Sequence, residues 1–251
     1  MDVTIGVISI IVGIVAAALG LVLVRRRVPL SVLQEHHEVA GITFAVVGGF
    51  YSVVLAFVLV ASWERYERAR ANTEFEANAL GVLAKQAAGM PTPARDDLAR
   101  DINAYLHSVI YTEWPAMLED RLSPETQELY LKIWHIVLDM QPQDAKEVAL
   151  YQCMLQKLDD FGEARRDRAL YMQNALPPAI WTFLIIFGIV TVAFTYLFGM
   201  PRLTPQMIIT IALTASIACT LFIIWEMQTP FSGAVTISDR AFRIMLNTLG
   251  P

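Results

Sequence analysis

Four stretches of about 20 residues contain no charged side chain, and they restrict the chain to one class of fold. A helix of that length crosses the ~30 Å hydrocarbon core, where backbone polar groups find no water and must bond to each other. We therefore predict an all-α membrane protein with four transmembrane helices. The stretches cover residues 3–24, 42–62, 178–198 and 207–225.

The apolar stretches divide the chain into four parts. We expect the first two transmembrane helices in residues 1–62 and the last two in residues 178–227. Residues 63–177 form a central domain, and residues 228–251 form a C-terminal tail. In the central domain apolar residues recur at helical spacing between helix-start signals, which predicts an all-helical domain.

The helix starts and ends of the central domain can be read from the sequence. The second apolar stretch continues without Gly or Pro to about Gln86, so its helix should extend beyond the membrane. Thr92 and Ser123 each precede a proline and are predicted N-caps, and Asp144 opens the last helix of the domain.

Basic residues near the membrane predict the orientation. Eight flank the central domain and tail, against four on the other side. Because cytoplasmic flanks are enriched in Lys and Arg, we expect the central domain and both termini to be cytoplasmic. The cluster at residues 25–27 favours the opposite orientation. The eight are Arg65, Arg68, Arg70, Arg165, Arg166, Arg168, Arg240 and Arg243.

Few residues suggest chemistry. The chain has no phosphate-binding loop, nucleophile elbow or cysteine pair, so we expect neither an enzyme nor a cofactor. His36 and His37 would point about 100° apart on a helix and are predicted to lie in a hydrated loop, not to hold a metal. Glu226 ends the fourth stretch, where we expect it to reach water or Arg240. The net charge of −5 offers no basic face for nucleic acid.

The second apolar stretch combines two patterns. Small residues at Gly48, Gly49 and Ser52 would allow close helix packing in lipid. A second line of apolar residues repeats every four positions, and in a ring of identical subunits it would form stacked apolar constrictions. Alternatively, this line faces lipid or another helix of the same chain. Its members are Ile42, Val46, Phe50 and Val54.

Two motifs resemble the bestrophin family of membrane channels. The first leaves the second apolar stretch, and the second follows the fourth stretch as Pro230, Phe231 and Gly233. The pattern is closer still to a bacterial family of unknown function, the bestrophin-like domain, over residues 37–79, 138–168 and 230–242. The first motif includes Trp63, Glu64, Arg65, Tyr66 and Arg70.

The resemblance implies a bestrophin-like fold and an oligomeric channel, mostly anion-selective in that family, in the bacterial inner membrane. It implies self-association as a pentamer, with a tetramer possible, and as further partners the lipid bilayer and small inorganic ions. The family's pore neck falls here on Val46, Phe50 and Val54, with Ile42 and Phe57 at the pore entrance. The acidic run that binds calcium in animal bestrophins is missing, since only Asp239 follows Gly233 closely.

Two hypotheses follow. The first is a homo-oligomeric channel for small ions, with anions such as chloride favoured, through an axial pore lined by the second transmembrane helix. The second is a non-conducting membrane scaffold or stress sensor whose cytoplasmic helices bind a partner. Val58, Leu59 and Val60 stand where bestrophins have polar residues, and this wholly apolar run favours the scaffold.

Overall fold

The computed structural model describes residues 3–35, 37–173 and 176–250, and within those ranges every regular element is a helix. The fold class is therefore the predicted one. In chain order the helices are α1 (Val3–Arg27), α2 (Leu30–Glu35), α3 (His37–Ala87), α4 (Ala94–Ser108), a π-helical turn (Val109–Glu113), α5 (Trp114–Met117), α6 (Pro124–Leu138), α7 (Ala145–Tyr171), α8 (Pro178–Phe194), a 3₁₀ turn (Thr195–Leu197), α9 (Leu203–Gln228) and α10 (Arg240–Leu249).

The chain forms two compact units. The first comprises Met1–Arg65 and Asn174–Gln228, and the second comprises Tyr66–Gln173 and Thr229–Pro251. Four helices are long and apolar enough to cross a membrane. They are Thr4–Arg27, Glu38–Ala87, Pro178–Leu197 and Leu203–Gln228.

Helices α1 and α9 approach each other closely in the first unit. A Cβ atom on Gly6 would lie 2.1 Å from the ring of Phe222, so only glycine permits this spacing. Farther along α1, the Tyr196 hydroxyl donates a 2.9 Å hydrogen bond to the carbonyl of Ala17. Close packing at small residues, supported by a few hydrogen bonds, is how helices associate in lipid.

Hydroxyl groups in the other spans are also satisfied internally, as an apolar solvent requires. Tyr51 on α3 is buried and donates a 3.0 Å hydrogen bond to the carbonyl of Leu184 on α8. The hydroxyls of Thr195 and Thr210 lie 2.9 Å apart and tie the end of the third span to the fourth. These bonds position α8 and α9 beside α3.

Helix α3 is unusually long. It contains 51 residues and ends at Ala87, which confirms the prediction that the second apolar stretch continues as a helix to about Gln86. At 1.5 Å per residue it measures roughly 77 Å, more than twice the hydrocarbon core of a bilayer. One element therefore contributes to both units.

The second unit is built around a buried apolar core from α3, α4, α6, α7 and α10. The predicted cap at Ser123 is confirmed, since its side chain accepts from the Thr126 amide at 3.3 Å. The helix predicted from Asp144 begins at Ala145, and Asp144 is its N-cap, accepting from the Glu147 amide at 2.7 Å. The predicted cap at Thr92 is wrong, because the N-cap position is Pro93 and α4 begins at Ala94.

The C-terminal tail belongs to the second unit. Phe242 on α10 is fully buried in its core. Helix α10 also lies tight against α3, since a Cβ atom on Gly81 would come within 2.3 Å of the Met245 sulfur. The tail thus completes a core begun more than a hundred residues earlier.

Three sequence expectations about charged residues need correction or remain outside the structure. Arg165 and Arg168, counted as charges flanking the membrane, are 6% and 1% exposed inside the second unit. Glu226 is 2% exposed, so it does not reach water in the single chain. His36 lies outside the described residues, and the loop predicted at His37 is wrong, because α3 begins there.

Candidate functional site

One side of α3 remains exposed within the first unit. It carries Val46 and Phe50 of the predicted neck, which are 68% and 57% exposed, and both predicted entrance residues, Ile42 and Phe57, at 64% and 72%. Large apolar side chains left open in a single chain face either lipid or another chain. The rest of this face consists of Thr43, Ala45, Gly49, Ser52, Val53, Ala56, Val60 and Ala61.

Val54, the third predicted neck residue, is turned away from the centre of this face. A step of four residues advances about 40° around a helix, so a line at that spacing drifts sideways. By Val54 the line has reached a cluster around Tyr51, Leu55 and Leu184, and Val54 is half-buried against it. The single chain thus separates Val54 from Val46.

Phe50 lies at the edge of the exposed face. Its ring meets the rings of Phe183 and Phe187 on α8 edge-on, with centroids 6.5 Å away in each case. Those two rings stack on each other at 4.3 Å. Phe50 is therefore held on one side by aromatic packing and is open on the other.

The predicted packing residues have different surroundings. A Cβ atom on Gly48 would lie 3.8 Å from Thr191, so Gly48 faces α8, whereas nothing lies within 4 Å of the same position on Gly49. Ser52 is exposed and returns its hydroxyl to the Gly49 carbonyl at 2.8 Å. Only Gly48 serves packing within the chain, and Gly49 and Ser52 are open to another surface.

The apolar run that follows Phe57 is divided between two sides of α3. Val58 and Leu59 pack against the cluster around Tyr51, while Val60 is 54% exposed. Thr43 and Ser52 are the polar residues of the exposed face between Ile42 and Ala61. The exposed face of α3 is therefore apolar over most of its length.

Charged and polar side chains begin on the surface of α3 immediately after the second apolar stretch. Trp63 is 51% exposed, and Glu64 beside it is exposed as well. Arg70 lies 3.9 Å from Glu67 and 3.6 Å from Glu74, in exposed pairs on successive turns. Such pairs contribute little stability but keep the helix surface hydrated.

Tyr66 and the motif after the fourth span meet inside the second unit. Phe231 is 3% exposed, and its ring stands edge-on to Trp114 with centroids 5.7 Å apart. Tyr66 packs against the same cluster. The Pro230 carbonyl accepts a 2.8 Å hydrogen bond from the Ile237 amide, which closes the loop containing Gly233, whose φ of 110° suits glycine.

Next to this aromatic cluster lies a buried network of charges. Arg165 binds both carboxylate oxygens of Glu113, at 2.8 and 3.0 Å. Arg168 binds both oxygens of Glu76, at 2.7 and 3.1 Å, and also reaches Glu113 at 2.6 Å. The Tyr105 hydroxyl lies between them, donating to Glu76 at 2.7 Å and accepting from Arg165 at 2.8 Å.

The network is electrically balanced, because two arginines face two carboxylates. Burial alone would raise the pKa of Glu113, but the charges and hydrogen bonds of Arg168 and Arg165 outweigh it and lower that pKa. Burial, reinforced by the charge of Glu76, raises the pKa of Tyr105 well above its usual value. Glu113 therefore stays ionised at neutral pH, opposite the two arginines.

The network joins four helices and the C-terminal tail. Glu76 comes from α3, Tyr105 from α4 and the arginines from α7, while the π-helical turn directs Glu113 inward. The Arg168 guanidinium also lies over the rings of Trp114 and Phe242, at 5.8 and 5.7 Å. The soluble end of α3 is thus fixed by charge to the same core that holds the tail.

Sequence reasoning missed this network, although a signal was present. Met154, Leu158 and Phe161 follow one another at spacings of four and three, and Arg165 and Arg168 continue that register. Arginines in the core register of an amphipathic helix are candidates for buried pairs rather than surface charge. Among the described residues no group of three potential ligands could hold a metal ion.

The sequence matches the bestrophin-like domain family over residues 12–242, which is most of the chain. The chain belongs to the bestrophin-like family. No protein with a curated description is detectably similar to it in sequence.

Solved bestrophin structures share the fold of this family member. A substituted form of the bacterial bestrophin homologue from Klebsiella pneumoniae superposes with a TM-score of 0.69 at 16% identity, covering 96% of both chains. Another form of that homologue gives 0.69 at 14% identity, covering 96% of this chain and 97% of its own. A crystal structure described only as a membrane protein gives 0.65 at 18% identity, with 96% and 95% covered.

Proposed function

We propose that this bestrophin-like protein is a homo-oligomeric ion channel whose axial pore is lined by α3. The supporting observation is the exposed face of α3, which is apolar through the span and charged immediately beyond it. In the single chain this face is open to lipid or to another chain, and the family resemblance favours another copy of this chain. Self-association is the way in which such a face becomes enclosed.

The neck is proposed at Val46, Phe50 and Val54, of which Val46 and Phe50 are exposed in the single chain. Stacked apolar rings of this kind gate ions by excluding water. Phe50 is the largest side chain of the three and is supported from behind by Phe183 and Phe187, so it would form the narrowest ring.

Small anions such as chloride are the proposed ions, on the strength of the family resemblance, and a pentamer is the proposed assembly. We further propose the bacterial inner membrane, with the second unit and both termini in the cytoplasm. Removing the buried Arg165 and Arg168 from the count of flanking charges leaves six basic residues against four, so the same orientation is favoured.

The test is chloride efflux from liposomes containing the purified protein, with potassium flux measured in parallel. Phe50→Ala should raise the flux, because a smaller ring admits water. Phe222→Ala is the matched control and should leave the flux unchanged, since it removes a ring of equal size from α9 where that ring packs against Gly6 of α1. Equal flux from wild type and Phe50→Ala would show that Phe50 does not form the neck.

A non-conducting membrane scaffold is the second candidate. It is supported by the apolar character of the exposed face of α3, because a wholly apolar surface need not line a water-filled pore. Between Ile42 and Ala61 that face offers two hydroxyl side chains, Thr43 and Ser52, and no charge. If neither wild type nor Phe50→Ala passes chloride or potassium while the protein is folded and inserted, the scaffold replaces the channel.

A further inference from the structure

A groove in the second unit lies between α3 and the C-terminal segment. Its volume is about 590 Å³, which is within the range of pockets that hold small molecules. Part of its lining is apolar and consists of Ala77 on α3 with Ala241, Ile244 and Met245 on α10. Because Ile244 is 54% exposed, this apolar surface is open to solvent. The groove can therefore accept an apolar group of a small molecule.

The rest of the lining is polar. Thr236 and Ser238 belong to the loop that precedes α10, and Asn78 lies on α3 opposite them. All three side chains are exposed. Hydroxyl and amide groups both donate and accept hydrogen bonds, so they suit a polar group of either charge. The sign of the ligand's charge is decided by the ionised residues of the groove.

Three ionised side chains line the groove, namely Arg70, Glu74 and Arg240. Arg70 lies 3.6 Å from Glu74, so these two charges offset each other. Arg240 is exposed, and within residues 3–35, 37–173 and 176–250 its side chain forms no ion pair or hydrogen bond. The lining is left with one uncompensated positive charge, which is on Arg240.

The acid next to Arg240 in sequence does not neutralise it. The carboxylate of Asp239 pairs with Arg243 at 2.6 Å, one turn along α10. Asp239 also makes no side-chain bond to the first amides of α10, although it occupies the N-cap position. The Arg243 guanidinium is held in addition over the ring of Tyr111, 5.4 Å from its centre. Asp239 is therefore engaged away from the groove, and Arg240 is available to a ligand.

An available arginine beside an open apolar surface suits an organic anion. A guanidinium binds a carboxylate or phosphate through two parallel, charge-assisted hydrogen bonds. The apolar part of the same molecule would be removed from water by the surface around Ile244. One uncompensated positive charge matches one negative charge on the ligand.

We propose that this groove binds a small organic monoanion, with its anionic group at Arg240 and its apolar part against Ala77 and Ile244. The proposal goes beyond ion conduction and does not depend on it. Because α3 and α10 form the groove together, the bound anion contacts both helices and stabilises the second unit by mass action.

The test is fluorine NMR of the full chain in nanodiscs, titrated with 4-fluorobenzoate. Its signal should broaden more with wild type than with Arg240→Ala, and this difference cancels any partitioning of the probe into lipid. Two further probes separate charge from ring. 4-Fluorobenzyl alcohol has the ring without the charge, and trifluoroacetate has the charge without the ring, so both should show a much smaller difference.

Arg240→Ala should weaken the binding of 4-fluorobenzoate about tenfold, because it removes the charge-assisted hydrogen bonds. Arg100→Ala is the matched control, since it removes another exposed arginine of the same unit outside the groove, and it should bind like wild type. Ile244→Ser keeps the charge but removes apolar surface, so it should also weaken binding.

The comparison of the three probes on wild type needs no variant, so the proposal remains testable if a substitution disturbs folding. No binding of 4-fluorobenzoate to wild type, equal binding to wild type and Arg240→Ala, or equal binding of the acid and the alcohol would each overturn it. The chloride efflux experiment is separate, because it is carried out without any of these probes.

Discussion

Arg168 and Glu113 form an ion pair with an N–O distance of 2.6 Å, and neither side chain is more than 1% exposed. Two charges out of water repay their desolvation only when their geometry is close and their remaining atoms are bonded. Here Glu76 and Arg165 supply those further bonds. The pair therefore acts as part of a set of four charges.

Removing one carboxylate from this set should be costly. Glu113→Gln leaves three charges and an excess arginine in a dry site, so we expect about 3–5 kcal/mol of lost stability. Chemical unfolding in detergent, followed by tryptophan fluorescence, measures it. The double variant Glu113→Leu/Arg165→Met restores charge balance and should lose less than Glu113→Gln alone. Equal losses would show that the packing, and not the charge, is what matters.

The lowered pKa of Glu113 predicts an acid-dependent loss of stability. Its folded pKa lies below the ordinary value of 4.5, so its ionised form stabilises the fold above that pH. The contribution is lost as pH falls from about 4.5 through the folded pKa. Unfolding midpoints measured between pH 7 and pH 3 should therefore decline more steeply in wild type than in Glu113→Gln. Parallel curves would contradict the assignment.

Phe242 should be essential to the second unit. It is fully buried, contacts Trp114 at 5.7 Å between ring centroids and lies under the Arg168 guanidinium. Phe242→Ala removes a core ring and should cost roughly 3–5 kcal/mol. Asn247→Ala, on the exposed side of α10, should change stability by no more than about 0.5 kcal/mol. Proteolysis of the purified protein, with cleavage sites mapped, would show whether the tail has detached.

Two glycines of α1 form a natural matched pair. Gly6→Ala would place a methyl group 2.1 Å from the Phe222 ring, whereas nothing lies within 4 Å of the same position on Gly13. We expect Gly6→Ala to lower the thermal midpoint and Gly13→Ala to leave it unchanged or raise it. Phe222→Leu should partly restore Gly6→Ala, and no restoration would argue against this contact as the cause.

The spans, the extension of α3 and the cap at Ser123 were predictable, because each depends on local chemistry. The signals are a length of chain without charge, a stretch without Gly or Pro, and a hydroxyl residue directly before a helix. Pairings distant in sequence were not. Nothing near Glu113 or Glu76 indicates that Arg165 and Arg168 will meet them, and a count of basic residues treats a buried arginine like a hydrated one.

The same limit applies to the proposed pore-lining residues. The line from Ile42 to Val54 is visible in the sequence, but the burial of Val54 and the aromatic rings behind Phe50 depend on the packing of α8. Whether Val54 faces the axis in the assembly remains a prediction.

The core of the second unit includes Phe242, which is made after the third and fourth spans. During synthesis Glu76 and Glu113 are therefore made long before α10, the helix whose Phe242 completes the core around them. Arg168 appears only a few residues ahead of the next membrane helix. Until α10 is made, the second unit is incomplete, and Trp114 lacks the cover of Phe242 while the two later spans are made. Its maturation is thereby tied to successful membrane insertion, and a chain that stalls after Tyr171 would present a defective surface to cellular quality control.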